Sequence, residues 1–402
     1  MSISTARALY PLGWLRGLAA LAVVTFHAYQ WNRQPPSWQW PWSGTAHQLM
    51  LGTDLFVDMF FVLSGLLLWL PVVRAATDGE TGPSGRAVLV RRMARLLPLY
   101  VLVVTLVWAI SNPVLPGHWQ DLVLHLTFTH IYSDQYVFWT DGPAWSLAVE
   151  FHFYVLVALS IPLVAAAARR IASPRRRLAV TAILPVLLIV ATGLYLTWAG
   201  ATHQDLANWS VWFSPLTRAA DFGIGMLLAV VAVAGVRLGS AARGGLAVTG
   251  IGALIALVLT RPGDTLAGEM WHPAFALAIA VALASIVLHE GPWPRILTVE
   301  PLTSLGGLGY GIYLIHEPVM RYLGHLGLLP AKQSGWFFLV TALIVAVPAV
   351  ALAWVSSKTV EAAGLRIAAS IGRDGSEREY YPHLSEPDLA HDVEGERSPV
   401  PV

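Results

Sequence analysis

The chain has 402 residues, 56% of them hydrophobic and 12% charged, roughly half the charged share of an ordinary soluble domain. That balance points to a polytopic membrane protein. A net charge of +1 leaves no domain-wide basic field for nucleic acid, and the complete absence of cysteine excludes disulfides, thiolate metal sites and a cysteine acyl-enzyme.

The apolar runs predict an all-α membrane bundle of about ten transmembrane helices, at 12–31, 53–73, 96–112, 144–168, 178–199, 213–236, 245–261, 271–289, 304–326 and 335–357. No A-x-A-like cleavage site follows the first run, so no cleavable signal is expected there. Arginine placement orients the bundle. Arg74, Arg86, Arg91, Arg92, Arg95, Arg169, Arg170, Arg175, Arg176, Arg177, Arg237 and Arg243 all fall between spans on one side, whereas the other side carries Arg33, Arg261 and Lys332. The positive-inside rule then predicts a plasma-membrane protein with both termini in the cytoplasm. Residues 1–357 are expected to form one membrane-embedded core. Residues 358–402, rich in charge, Pro, Gly and Ser, are expected to be a disordered cytoplasmic tail.

Ionisable residues inside spans are costly and mark candidate sites. The first span, LGWLRGLAALAVVTFHAYQW, holds Arg16 and His27. Eleven helical residues turn about 20° past three full turns and rise about 16 Å, so the two share a face at different depths. The bland readings are a snorkelling arginine and a hydrogen-bonded core histidine. The sharper one is a long ligand gripped at Arg16 and reacted on at His27, a general base. The second span opens GTDLFVDMFFVLSG. Asp54 is placed to cap the helix, and Asp58, one turn deeper, is level with His27. Arg91, Arg92 and Arg95 precede the third span, where they serve either topology or phosphate binding. Between residues 113 and 142 an outer loop is expected, with a short helix around 122–131. Its His118, His125 and His130 match no metal spacing, so no metal is expected.

The fourth span opens GPAWSLAVEFHFY, with Trp145 and Ser146 a turn above Glu150, a carboxylate that needs a partner such as Arg218 or Arg321. Arg218 and Asp221 read as an i, i+3 pair on the sixth span. The ninth, GYGIYLIHEPVMRY, carries Tyr310, Tyr313, His316 and Glu317, with His316 a candidate second wall of the polar cavity. Of 17 tryptophans, Trp31, Trp38, Trp40, Trp42, Trp119, Trp139, Trp145, Trp209 and Trp212 fall on the outer side. They form an aromatic belt or a surface on which a sugar ring stacks.

Several stretches together resemble the acyltransferase-3 family of integral-membrane acyltransferases: LRGLAALAVVTFH at 15–27, LFVDMFFVLSG at 55–65, RRMARLLPLY at 91–100, WSLAVEFHFY at 145–154, RAADFGIGMLLA at 218–229 and GYGIYLIHEPV at 309–319. The family's arginine–ten–histidine pattern falls on Arg16 and His27, its arginine-x-x-arginine pattern on Arg92 and Arg95, and its W-S-L-x-x-E glutamate on Glu150. Gly309 stands where many members have serine, and Glu317 where tryptophan is common. The resemblance implies transfer of an acyl group, usually acetyl, to a hydroxyl of a sugar, glycan or natural product.

Physics and resemblance together give these expectations. Acyl-CoA, with acetyl-CoA the expected form, is the co-substrate. Arg16, Arg91, Arg92 and Arg95 hold it, and His27 is the base, with Asp58 or Glu150 orienting its ring. Trp145, Ser146, Tyr313 and His316 line the acceptor side. Ser64, Tyr313 or a backbone amide is the candidate oxyanion donor. The rival reading is a transporter that uses the same buried groups as a proton or substrate relay.

Overall fold

A computed structural model describes residues 12–262, 268, 270–289 and 300–371. Regular secondary structure among these residues is helical, apart from one bridge between Gln34 and Gln39. The long helices are α1 (Gly13–Trp31), α2 (Phe56–Asp78), α3 (Gly85–Ser111), α4 (Ala144–Arg169), α5 (Ile183–Ala201), α6 (Pro215–Val233), α7 (Ser240–Thr260), α8 (His272–Val287), α9 (Glu300–His325) and α10 (Phe337–Lys358). Each corresponds to one expected apolar run. Among the described residues, 7 helical stretches are long and apolar enough to cross a membrane. α8 is too short, while α1 and α9 miss on composition because they carry the polar residues of the site.

α3 starts eleven residues before its expected apolar run, at a Ser84 cap whose hydroxyl accepts from the Ala87 N–H at 3.1 Å. Arginine is a good helix former, so Arg86, Arg91, Arg92 and Arg95 are carried on the first turns of that helix instead of in a loop. The expected tail also begins later. Residues Val360–Ile371 form a further helix, α11, whose Gly364 sits against Ala94 and Pro98 of α3, and Glu361 accepts from Ser356 at 3.1 Å. The stretch VEAAGLRIAASI is apolar enough to bury a face. Averaging it with the charged residues that follow hid this. Residues 372–402 lie outside the described residues.

α2 is buried on nearly every side, as expected of a helix apolar all round. Glycines let its neighbours approach to backbone contact: Gly225 of α6 faces the Val62 carbonyl, and Gly65 of α2 faces the Phe222 carbonyl. α1 and α9 pack the same way. Gly306 meets Gly13, Gly309 meets Arg16, and Gly324 meets Trp31, so the two helices run parallel along their whole length. That pairing brings residues far apart in sequence to the same depth. A Cβ at Gly309 would lie 2.9 Å from the Arg16 carbonyl oxygen. Gly309→Ala is therefore expected to push α9 off α1, lowering stability by about 1–3 kcal/mol and activity with it. An unchanged thermal midpoint in detergent would count against this packing account.

Candidate active site

Two chains of polar side chains run between α1 and its neighbours. Toward the arginine-rich end, Arg16 turns toward α2 and donates from Nη2 to Ser64 Oγ at 3.4 Å; Ser64 in turn donates to Glu150 Oε1 of α4 at 2.5 Å. Tyr154, one turn along α4, borders Glu150, and the Arg92 guanidinium lies 5.4 Å from its ring centre. Glu150 thus has its partners in Ser64 and the Arg16–Arg92 side. Arg218 instead lies beside Asp221 and 5.7 Å from the Trp145 ring, and Arg321 binds Glu317. Arg95 donates to the Gly307 carbonyl of α9 at 3.4 Å. The RRMAR segment and Arg16 therefore converge on the same end of the bundle. Arg91 stands on the same helical turns of α3.

Toward the opposite end, His27 Nδ1 lies 2.6 Å from His316 Nε2, the rings nearly coplanar at 12°. His316 is fully buried and its Nδ1 faces two backbone carbonyls, Tyr313 at 2.6 Å and Ile312 at 3.2 Å. A nitrogen that faces only carbonyl oxygens must carry the proton. His316 Nε2 is then the acceptor and His27 Nδ1 the donor, which leaves the lone pair of neutral His27 on Nε2. His27 keeps part of its surface open while its partner has none. The tautomer that suits a general base is fixed by a neighbour 289 positions away.

Tyr313 is buried one turn before His316, and its hydroxyl lies 2.8 Å from Ser146 Oγ; Phe60 meets the Tyr313 ring edge-on at 5.4 Å. Trp145 packs edge-on against Phe213 and Phe61. Trp145 and Ser146 stand at the N-terminal end of α4, against Tyr313 of the helix that carries His316.

Asp58, expected to orient His27, has a different partner: its Oδ2 lies 2.7 Å from His272 Nδ1 of α8, and Asp221 of α6 is beside it. The reason is rotational. Asp58 lies near the start of α2 and His27 near the end of α1, but the Asp58 side of α2 faces α6 and α8 instead of α1. Asp54, expected as a cap, forms an ion pair with Arg261 at 2.7 Å. His272 escaped the sequence reading because it opens an apolar helix, HPAFALAIAVALASIV, that carries no Asp, Glu, Lys or Arg.

Above the histidine pair the outer loop folds over α9. Arg321 binds Glu317 and donates to the carbonyls of Thr140 at 3.0 Å and Trp139 at 3.3 Å, strapping the loop down. Beneath it Asp141 is wholly buried, with neither carboxylate oxygen hydrogen-bonded. Burial first, and then the Glu317 charge, push its carboxyl well above the usual carboxylate range, against the pull of Arg321. A carboxyl raised in the folded state stabilises the fold most below its ordinary value near 3.9, and that contribution is lost as pH rises through the folded value. Asp141→Asn is expected to flatten the decline in thermal midpoint as pH rises above about 4. Parallel profiles for variant and wild type would refute it. Nearby, His125 and His130 stack at 3.9 Å, and burial with the His125 neighbour holds His130 well below the usual imidazole value. No group of three or more potential metal ligands occurs among the described residues.

Comparison with known proteins gives the family. The family described as "Acyltransferase domain" (acyltransferase-3) matches residues 10–358. The chain is 28% identical over 342 residues to "Putative peptidoglycan O-acetyltransferase YrhL" of Bacillus subtilis (strain 168), which covers 77% of this chain and 48% of that protein. It is 26% identical over 347 residues to "Putative membrane-bound transacylase BcsY" of Komagataeibacter xylinus, which covers 81% of this chain and 77% of that one. The chain thus spans about half the length of the first relative. No solved structure matches it.

Proposed function

Since the chain belongs to the acyltransferase-3 family, we propose that it is a membrane O-acyltransferase that moves an acyl group, acetyl in the simplest case, from cytoplasmic acyl-CoA to a hydroxyl of a sugar, glycan or secondary metabolite. In this reading all ten long helices span the plasma membrane and both termini are cytoplasmic. Residues 1–357 are the catalytic core, and the residues after α11 form a cytoplasmic tail. The arginine asymmetry supports this sidedness. The parallel run of α1 with α9 and the antiparallel packing of α3 on α4, where Gly85 meets Ala158 and Arg92 meets Tyr154, fit the alternation of ten spans.

The observation that carries the proposal is the His27–His316 pair, which leaves His27 Nε2 as an open lone pair. Arg91, Arg92 and Arg95 meet the CoA phosphates at the inner end, where arginine forks suit phosphate. Arg16 and Glu150, joined through Ser64, hold the arm as it rises the roughly 16 Å from Arg16 to His27. His27 Nε2 takes the proton from the acceptor hydroxyl as its oxygen attacks the thioester carbonyl. The C–O bond forms, the C–S bond breaks, and His27 returns the proton to the departing CoA thiolate. Ser64, Tyr313 or a backbone amide would face the oxyanion. Trp145, Ser146 and Tyr313 bound the acceptor. Asp58 is left out of the proton path and serves the α2–α6–α8 contact.

The test is purified protein in lipid nanodiscs, given acetyl-CoA and a panel of hydroxylated acceptors and read by mass spectrometry. Free CoA and an acetylated acceptor should appear together. Arg92→Ala with Arg95→Ala should raise KM for acetyl-CoA about tenfold or more with kcat little changed. Acceptor flux across the bilayer without CoA release would favour the transporter instead.

A further inference from the structure

The end of the loop between α3 and α4 is held by charges that do not balance. The cation is Arg321, which binds Glu317 and donates to the Thr140 and Trp139 carbonyls. Glu317 lies against Gly142, where a Cβ would collide with both carboxylate oxygens. The residue before it, Asp141, is wholly buried, and neither of its oxygens has a hydrogen-bond partner among the described residues. Two carboxyl groups thus share one guanidinium, and Glu317 holds it. A buried carboxylate with no donor or cation of its own is costly, so the seated loop favours a proton on Asp141. The other groups around it do not supply the missing charge. Tyr313 and Tyr100 are phenols, the second donating to the His125 carbonyl at 3.0 Å. Asp121 is taken by His125 at 2.9 Å and by the Thr140 hydroxyl. His130, bordered by Ala144 and His152 of α4, is held well below the usual imidazole value by burial and by His125, so it stays uncharged near neutral pH.

We propose that residues 138–143 form a proton-controlled cover over the acceptor side of His27, closed while Asp141 carries a proton and lifted once Asp141 gives that proton to water. The proposal rests on the acyltransferase reading and adds a control on acceptor access. Position supports it. The Arg321 charge acts on His27, and Glu317 is the residue after His316. The cover runs straight into Trp145 and Ser146, and Ser146 Oγ meets the Tyr313 hydroxyl at 2.8 Å. Arg321 keeps 39% of its side chain exposed, so water reaches the far side of the strap. Burial and then Glu317 push the Asp141 carboxyl well above the usual carboxylate range. The closed form therefore binds the proton more tightly than the lifted one. It is favoured at low pH and lost as pH rises through the closed-form value. One proton changes the ratio of lifted to closed by at most about tenfold per pH unit.

The chain has no cysteine, so a single introduced thiol reports the loop. Val137→Cys puts it where the closed loop leaves 1% exposed, and Gln135→Cys puts it at an exposed site in the same loop. Each full-length protein, in nanodiscs, is labelled with a charged methanethiosulfonate between about pH 5 and 9. Dividing the first rate by the second removes the pH dependence of the thiol itself. The ratio should rise with pH, by up to about tenfold per unit. With Asp141→Asn added it should stay low and flat. With Arg321→Gln added, which releases the strap, it should be high and flat. At the top of the range, kcat/KM for the acceptor should be about tenfold lower in Asp141→Asn than in wild type, with KM for acetyl-CoA unchanged. A ratio that never changes with pH, or one that rises equally in Asp141→Asn, would overturn the cover. So would Arg321→Gln labelling as its parent does. The labelling needs no substrate, so the two readings fail separately. If the ratio rises as expected and no acceptor is acetylated, the catalytic reading falls and the cover stands. If acetyl transfer proceeds while the ratio never moves, the cover falls and the catalytic reading stands.

Discussion

Replacing His27 with alanine is expected to lower kcat for acyl transfer by about 10²–10⁴, the range a positioned general base supplies. This corresponds to roughly 3–5 kcal/mol of transition-state stabilisation. KM for acyl-CoA should barely move, because the proposed mechanism holds the phosphates at the other end of α1. Alanine also strips His316 Nε2 of its donor, and an orphaned buried acceptor costs about 1–3 kcal/mol of stability. His27→Gln separates the two effects: its amide N–H can still donate to His316, but it has no basic lone pair. Stopped-turnover kinetics on folded, membrane-inserted protein should show both variants catalytically crippled and only the alanine form thermally weakened. Wild-type rates in His27→Gln would remove the general base from the proposal.

The sequence made the helices legible because apolar length is a strong signal, and it flagged Arg16, His27, Glu150 and His316 because a charge in an apolar run stands out. Pairing was not legible. Periodicity fixes which face of a helix a residue occupies but not which neighbour that face meets. Asp58 and His27 do sit toward one end of their helices, yet Asp58 faces His272 across the α2–α8 contact. The partner of His27 lies on a helix that the sequence places eighth in order after it, and only the glycine-lined parallel packing of α1 on α9 brings the two imidazoles together. The three long helices that fall short of the membrane-span criteria include the two that carry this pair. A polar site lowers the apolar signal of the very helices that build it.

His316 carries the second large effect. In the proposed mechanism its role is positioning: it fixes the tautomer and ring orientation of His27 without itself meeting the acceptor. His316→Phe keeps a planar ring in the fully buried site and removes the acceptor nitrogen. His27 then loses the bond that holds the proton on Nδ1, and a growing share of the enzyme carries it on Nε2, where it cannot abstract a proton. In the Ser–His–Asp arrangement, loss of the tautomer-fixing group costs about 10⁴ in kcat. A neutral imidazole lacks the carboxylate's charge stabilisation of the imidazolium, so a fall of about 10–10³ is expected here. His316→Gln, whose amide oxygen can accept from His27 Nδ1, should restore part of the rate and return the kcat–pH profile toward wild type, with KM for acyl-CoA unchanged throughout. If His316 served packing alone, phenylalanine would be the better substitute and glutamine the worse. Rates that rank phenylalanine above glutamine would therefore separate the two histidines functionally and leave His27 to be oriented by some other group.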